Sequence, residues 1–349
     1  MKKFGKMKNS IIKVIFWNVV IFILLLSIVE ITMRLRGYES YPGYKLDIVV
    51  SPGGKYFEKD SLLGYKHIAG KFDIVLWGEY KFSTHHDSAS LRITSPITKT
   101  ESQEKPEIWF LGGSFTHAWS VNDDETFPWL VQSKLDDYKI LNWGTSGYGT
   151  IHFYIQLREA LKNRDKPNII IINHADFHFR RNSFSLERRR EVSKWNFLGN
   201  LNQPYAEIDD KGTMSIKYSN IEYNPWVLSK YSALVNYIAV RIDDHLDEKI
   251  NAQEGEVTKI LFDKIVSLCQ EHQIKIVLTN IGSNADFIQG YCSERNIPFV
   301  DISVNLEEEG ATNKPYDHHP SARTNRIYAN KLYNYLQGFL LVEKEKNLK

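Results

Sequence analysis

Cysteine is almost absent from this chain. Cys269 and Cys292 are the only two in 349 residues, and their separation matches no metal-binding spacing, so a zinc ribbon and a disulfide-stapled scaffold are excluded. An excess of either charge is missing too. Forty-four basic residues face 42 acidic ones, a net of +2, which removes the electrostatic case for nucleic acid or a strongly acidic partner. Internal repeats and low-complexity tracts are absent. Aromatics, by contrast, make up 13% of the residues; they read as packing anchors or as a surface facing sugar or lipid.

Charge is wholly missing from one stretch, "VIFWNVVIFILLLSIV", residues 14–29. About twenty mostly apolar residues suffice to cross a bilayer as a helix. No small-x-small cleavage site occurs between Leu26 and Tyr38, so the sequence predicts an uncleaved signal anchor over 14–33 rather than a removed signal peptide. Lys2, Lys3, Lys6, Lys8 and Lys13 outnumber Arg34 and Arg36 on the other flank. That bias keeps the tail, residues 1–13, in the cytoplasm and places the chain beyond the anchor outside it. Glu30 and Arg34, four apart, are spaced to pair at the interface.

Residues 34–105 hold glycines, prolines and the alternating run "FDIVLWGEYKFST", which predicts a β-rich juxtamembrane segment. From 106 onward strand and helix signals alternate. "EIWFLGG", "YKILNWG", "NIIIINHA", "IKIVLTNI" and "IPFVDI" read as strands, separated by helical patterns and ending in a helix over about 321–343. This predicts an α/β domain over 106–345, a three-layer αβα arrangement on a mostly parallel, flavodoxin-like sheet. Residues 181–254 break the rhythm and form an expected insertion that caps the site. Ligands of such folds bind at the carboxyl ends of the strands. The rule selects Ser114, Gly147, the "NHAD" stretch and the loop before the last helix.

Ser114 comes after two glycines directly beyond a strand. A serine nucleophile needs a base for its proton and donors for the oxyanion. "YDHHPSARTNRIYANKLYNYL" supplies the base candidate His319, with Asp317 two residues earlier to orient it. His318 lacks that placement, and His117 reads as a local helix or rim residue. "LNWGTSGYGT" offers backbone donors at Gly144, Gly147 and Gly149, or turn glycines and nothing more.

"LGGSFT", then "NWGTSGYGT", then a strand ending near an aspartate, then "DHHPSA" resembles the SGNH/GDSL hydrolase superfamily, in its membrane-anchored bacterial branch. The resemblance covers about 106–180 and 255–345. It implies that Ser114 is the nucleophile, His319 the base and Asp317 the third member. The oxyanion donors would be the Ser114 and Gly147 N–H groups. The chain departs from the pattern at Ala175, where the family places an oxyanion asparagine; Asn173 and His174 are nearby substitutes.

Other readings remain open. His174, Asp176 and His178 alternate, and with His85, His86 and Asp87 they suggest a metal site; the competing reading makes them polar residues around a cleft. Asn173, His174, Asp176 and Arg92 are accordingly candidates for the site rim. Arg180, Arg181, Arg188, Arg189 and Arg190 read as a solvated helical face or as a recognition surface for anionic headgroups or glycans. A Cys269–Cys292 bridge is permitted outside the cytoplasm but not assured by helix spacing.

The sequence therefore predicts a serine esterase or acyl hydrolase that needs no metal or cofactor. Its expected substrate is an acylated glycan or lipid of the cell envelope, with no nucleic-acid partner. Acyl transfer by the same residues and a degenerate binding protein, the latter motivated by Ala175, are the alternatives.

Overall fold

A computed structural model describes residues 2–42, 47–96, 105–193, 198 and 201–347. The chain divides into two units: residues 1–45 with 222–248, and residues 46–221 with 249–349. Within the stretch 181–254, residues 222–248 group with the amino-terminal helix and the remainder with the larger unit.

In the smaller unit, helix α1 (Lys2–Leu35) carries the apolar run. An 18-residue window within residues 11–35 has a mean hydropathy of 2.6, and none of that window is buried. Of the five lysines in the tail, only the Lys13 side chain lies among the described ones. Glu30 and Arg34 pair at 2.7 Å. The Glu30 carboxylate also accepts from Ser232 Oγ (2.7 Å) and from the N–H groups of Ala233 and Leu234 (2.8 and 3.0 Å). These are orphan donors at the start of a helix over Ala233–Leu246, α6 in chain order, so Glu30 caps it from another element.

The larger unit opens with short strands: β1 (Ile48–Ser51), β2 (Phe57–Asp60), β3 (Gly64–His67), β4 (Gly70–Leu76) and β5 (Tyr80–His86). The predicted run 72–84 forms the β4–β5 hairpin, and β1, β4 and β5 make one antiparallel sheet. Alternation buries Phe72, Ile74 and Leu76 on β4 and Phe82, Thr84 and His86 on β5, as a sheet covered on one face requires.

The main sheet is parallel. It contains β6 (Glu107–Gly112), β7 (Lys139–Asn142), β8 (Ile169–His174), β11 (Lys275–Asn280) and β12 (Phe299–Asp301) in the order β12-β11-β8-β6-β7. Renumbered within the sheet this is 2-1-3-4-5. The chain goes from β6 out to β7 on one side and returns to β8 on the other, so the topological switch lies between β6 and β8.

Both faces of the central strands are apolar. Trp109, Leu111, Ile170 and Ile172 join a cluster with Phe153 and Leu157 of α4 (Thr150–Asn163) and Phe262 and Ile265 of α7 (Glu248–Glu271). Tyr291 and Cys292 of α8 (Asp286–Arg295) belong to the same cluster. Ile108, Phe110, Ile169 and Ile171 join another with Phe127 and Val131 of α3 (Phe127–Gln132) and Tyr328, Leu332 and Leu336 of α9 (Ala322–Asn347). Each such isoleucine contributes about 1.5–3 kcal/mol by burial. Between β8 and β11, α5 (Leu186–Ser193) and the β9–β10 hairpin (Asn202–Ile208, Met214–Asn220) precede α6. Cys269 and Cys292 are free, buried thiols, and burial pushes both up to about 12.

Arg92 joins the two sheets, forming isolated bridges to His86 and Asn142. It is 1% exposed, so it does not stand at a rim. Its guanidinium donates to the carbonyls of His117 (2.9 Å), Ala118 (2.6 Å) and Val121 (2.6 Å) and to Asp123 Oδ1 (2.9 Å). An Arg92→Ala variant leaves these acceptors and the Asp123 charge without their donor. It is expected to lose about 3–5 kcal/mol of unfolding free energy in urea titrations.

Candidate active site

Strand β6 runs into Gly112 and Gly113, and Ser114 opens the single-turn helix α2 (Ser114–His117). Gly113 has φ −89°, open to any residue, so these glycines serve close approach. A Cβ on Gly112 would stand 1.9 Å from Thr116 Oγ1, and one on Gly113 would stand 2.7 Å from His178 Nε2. Ser114 is 4% exposed. Its hydroxyl forms no hydrogen bond among the described residues, a looseness common in ligand-free sites.

Phe115, the next residue, packs edge-on against His319 (5.7 Å) and Phe177 (5.0 Å). The loop carrying His319 is thereby brought to the serine's turn. Within that loop His319 Nδ1 and Asp317 Oδ1 lie 2.5 Å apart, and the same oxygen accepts the His319 backbone N–H at 2.7 Å. Asp317 Oδ2 accepts from Trp119 Nε1 at 2.8 Å. Burial raises the Asp317 pKa, but the His319 charge and these donors outweigh it and hold the carboxyl below its ordinary range. An ionised Asp317 selects the Nδ1–H tautomer and leaves Nε2 as the acceptor. His318 is exposed. The loop is further tied to the turn after α2 by Asn313 Nδ2, which donates to Ser120 O at 3.0 Å.

The 143–149 loop lies against the same turn. A Cβ on Gly144 would be 2.3 Å from His117 N, so only glycine allows that approach. Asn142 Nδ2 donates to Thr116 O at 3.0 Å. Gly147 is buried at φ +81°, where a side chain would strain the backbone. Its N–H meets no acceptor among the described residues. The carbonyls around it are held: Ser146 by Tyr65 Oη (2.7 Å), Gly147 by Arg188 Nη2 (2.8 Å) and Tyr148 by Arg181 Nη1 (3.2 Å). Tyr148 Oη returns a hydrogen bond to Tyr65 O.

The stretch after β8 departs from expectation. The strand stops at His174, and Asp176–Arg181 is a 3-10 helix, so the alternation argument for His174, Asp176 and His178 fails. Asn173 is buried between strands, accepting from Thr279 Oγ1 (2.9 Å) and donating to Leu111 O (3.4 Å). His174 is buried against Phe179, Phe262 and Phe287, and burial pushes it down to about 3. Neither lies at a rim. Asp176 accepts from Ser283 Oγ at 2.7 Å and from Phe177 N at 3.0 Å. Ala175 is fully buried and offers no side-chain donor.

The arginine run is not one solvated face either. Arg188 and Arg190 are 3% and 9% exposed, whereas Arg180 is exposed and pairs with Glu187. Arg181 lies over the Phe177 ring at 4.5 Å, and burial lowers its pKa to about 10, which leaves it charged at neutral pH. Its Nη1 lies 3.2 Å from where a Gly113 Cβ would be. Nothing in the sequence distinguishes Arg181 and Arg188 from their neighbours, and nothing marks Trp119, whose partner is 198 residues away.

A depression of about 220 Å³ lined by Lys105, Trp129 and Lys139 opens elsewhere. Lys139 begins β7, so it lies at the amino ends of the strands, opposite Ser114. Among the described residues, the histidines grouped closely enough to hold a metal are His67, His86 and His117, not the set around His174.

No protein-family profile and no curated protein matches the chain. Among solved structures it is similar to a putative lipolytic protein of the G-D-S-L family from Desulfitobacterium hafniense, at 13% identity and a TM-score of 0.39, covering 66% of this chain and 99% of that one. A putative acylhydrolase from Bacteroides fragilis matches at 16% identity and 0.38, covering 71% and 93%. A psychrotrophic esterase from Pseudoalteromonas matches at 12% and 0.39, covering 68% and 99%. Overlap this partial leaves the reading of the site to the chain's own residues.

His152, His174 and His178 all have pKa values pushed below 6.5 by burial. The unfolded chain therefore binds more protons than the folded one once pH drops below about 6.5. Stability is expected to fall with decreasing pH by about 1.4 kcal/mol per unit for each of them. Urea titrations between pH 7.5 and 5 measure that slope; a flat profile would contradict neutral burial of these rings.

Proposed function

We propose that this chain is a membrane-tethered serine hydrolase of the SGNH/GDSL type, acting on O-acyl esters. The observation that carries the reading is the Asp317–His319 pair, held to the serine's own turn by Trp119. His319 Nε2 takes the Ser114 proton as Oγ attacks the acyl carbonyl. The tetrahedral oxyanion is held by the Ser114 and Gly147 N–H groups, and His319 returns the proton to the departing alcohol. Water, deprotonated by the same imidazole, then releases the acid and restores Ser114.

Ala175 removes the side-chain donor that such sites add. Loss of one oxyanion donor costs on the order of 2.7–4 kcal/mol in the barrier, so the enzyme is slow or confined to an activated or well-positioned ester. The Arg181 guanidinium beside Gly113 supplies positive potential near the serine and offsets part of that loss. An acylated glycan or lipid of the cell envelope is the substrate class a tethered enzyme reaches.

The tether is α1, spanning the bilayer with its lysine-rich end in the cytoplasm. Its unburied apolar surface supports this. So do Trp226, Val227 and Tyr231, exposed apolar side chains of the same unit. A second reading, a binding protein that has lost catalysis, is favoured by Ala175, which offers no side-chain donor.

A fluorophosphonate probe separates the two. Labelling is expected at Ser114, absent in Ser114→Ala and His319→Ala, and slowed about 10³–10⁴-fold in Asp317→Asn, where the wrong tautomer is favoured. A folded wild type that stays unlabelled and cleaves no ester supports the binding protein. For the tether, full-length protein is expected to stay with membranes through an alkaline carbonate wash. Residues beyond 35 should be digested by protease only from the outer face.

A further inference from the structure

We propose that His67, His86 and His117, with the Tyr56 hydroxyl, form a buried binding site for one zinc-class transition-metal ion. The ligands arrive from separate elements. His67 ends β3, His86 ends β5, His117 ends α2, and Tyr56 immediately precedes β2. One ring nitrogen from each histidine falls within 4.8 Å of the others. His86 Nε2 and His117 Nε2 are 3.0 Å apart, and Tyr56 Oη lies 3.3 and 3.2 Å from them. All four residues are at most 3% exposed.

Hydrogen bonding alone does not account for these rings. His86 Nδ1 donates to Ile68 O at 3.1 Å, which leaves its Nε2 as a lone pair aimed into the cluster, the arrangement that orients a metal-bound imidazole. Tyr56 Oη donates to Thr84 Oγ1 at 3.0 Å, so its own lone pairs face the same space. Both nitrogens of His67 and Nδ1 of His117 meet no partner among the described residues. Buried polar groups without partners are rare in native proteins and call for an explanation. An ion at the centre would take up one lone pair from each ring, among them one of the two unpartnered His67 nitrogens.

The chemistry of the set selects the ion. All three rings are buried among apolar and aromatic neighbours at 1% exposure or less, and neutral imidazole is the ligating form. Three imidazoles and a phenol, with no carboxylate in the group, disfavour calcium and magnesium and suit zinc, copper or nickel. Four ligands without access to solvent describe a closed, structural site.

Its position gives it a task. The ion would clamp β3 and β5 to the helix that begins with Ser114. The Tyr56 ring also packs on Trp119 at 5.3 Å, the residue that holds Asp317. The ion is thus a positioning element for the serine's turn.

The first test is metal analysis of the full chain purified in detergent, after dialysis against a mild chelator and gel filtration. About one equivalent of metal per chain is expected to remain or to be restored by added zinc. Cobalt in its place should give the intense visible bands of a four-coordinate centre, and stripping the ion should lower the melting temperature. His67→Phe and His86→Phe, which keep an aromatic ring in the cluster, are expected to abolish binding and the cobalt bands. His85→Ala, one residue outside the set on β5, should retain both. A folded wild type without stoichiometric metal, a cobalt spectrum like that of His67→Phe, or a melting temperature indifferent to chelator and zinc would overturn the proposal. Because the readout is metal, it stands whether or not Ser114 proves to be a nucleophile.

Discussion

One buried cation organises the Ser114 end of the larger unit. The Arg92 guanidinium binds the carbonyls of His117, Ala118 and Val121 and the Asp123 carboxylate, which fixes the turn after α2. Ala118 and Ser120 in that turn have positive φ, a conformation unfavourable for side-chain-bearing residues. It persists because the guanidinium and its acceptors over-determine the turn. Three contacts depend on it: Trp119 holds Asp317, Ser120 holds Asn313, and His117 joins the histidine cluster. A planar guanidinium with five donors in fixed directions can serve these acceptors together, and an ammonium cannot.

The surroundings of Ser114 are rich in imidazole, yet the rings are not equivalent. His67, His86, His117, His152, His174 and His178 are buried at 1% exposure or less and are held neutral. His319 alone combines partial exposure of its side chain, 29%, with a buried carboxylate on Nδ1. That asymmetry gives one imidazole both a carboxylate partner and contact with solvent. On the opposite flank, Arg181 and Arg188 fix the carbonyls of Tyr148 and Gly147. The left-handed Gly147 is thereby set without a hydrogen bond from its own N–H among the described residues.

The smaller unit obeys different rules. Its apolar helix presents side chains that no protein surface covers, and its polar contacts concentrate at one level, where Glu30 caps α6 and pairs with Arg34. A carboxylate near the end of an apolar run is costly in a bilayer unless it is paired. Here it has a cation and three hydrogen-bond donors. The spacing of Glu30 and Arg34 was legible, and so was the helical pattern of residues 232–246; that Glu30 caps that helix, two hundred residues later, was not.

By itself the sequence determined whatever depends on local period and on short range: the apolar span, the β4–β5 hairpin, the five parallel strands with their helices, and the Asp317–His319 pair two residues apart. Uniform apolar runs mark strands covered on both faces; the glycines before Ser114 read as a sharp turn, and only the structure shows that they serve close approach. What only the tertiary structure decided involves partners far apart in the chain. Asn173 and His174 looked like polar residues at a strand end, yet the sheet buries both. Arg92 read as a rim residue and became the centre of a turn. Three histidines well separated along the chain converge on Tyr56, while of the alternating set His174 and His178 meet edge-on at 5.6 Å and Asp176 turns away to Ser283, because the strand ends and the backbone coils. Periodicity reports which side of its own element a residue faces; what it meets there is set by the packing of other elements.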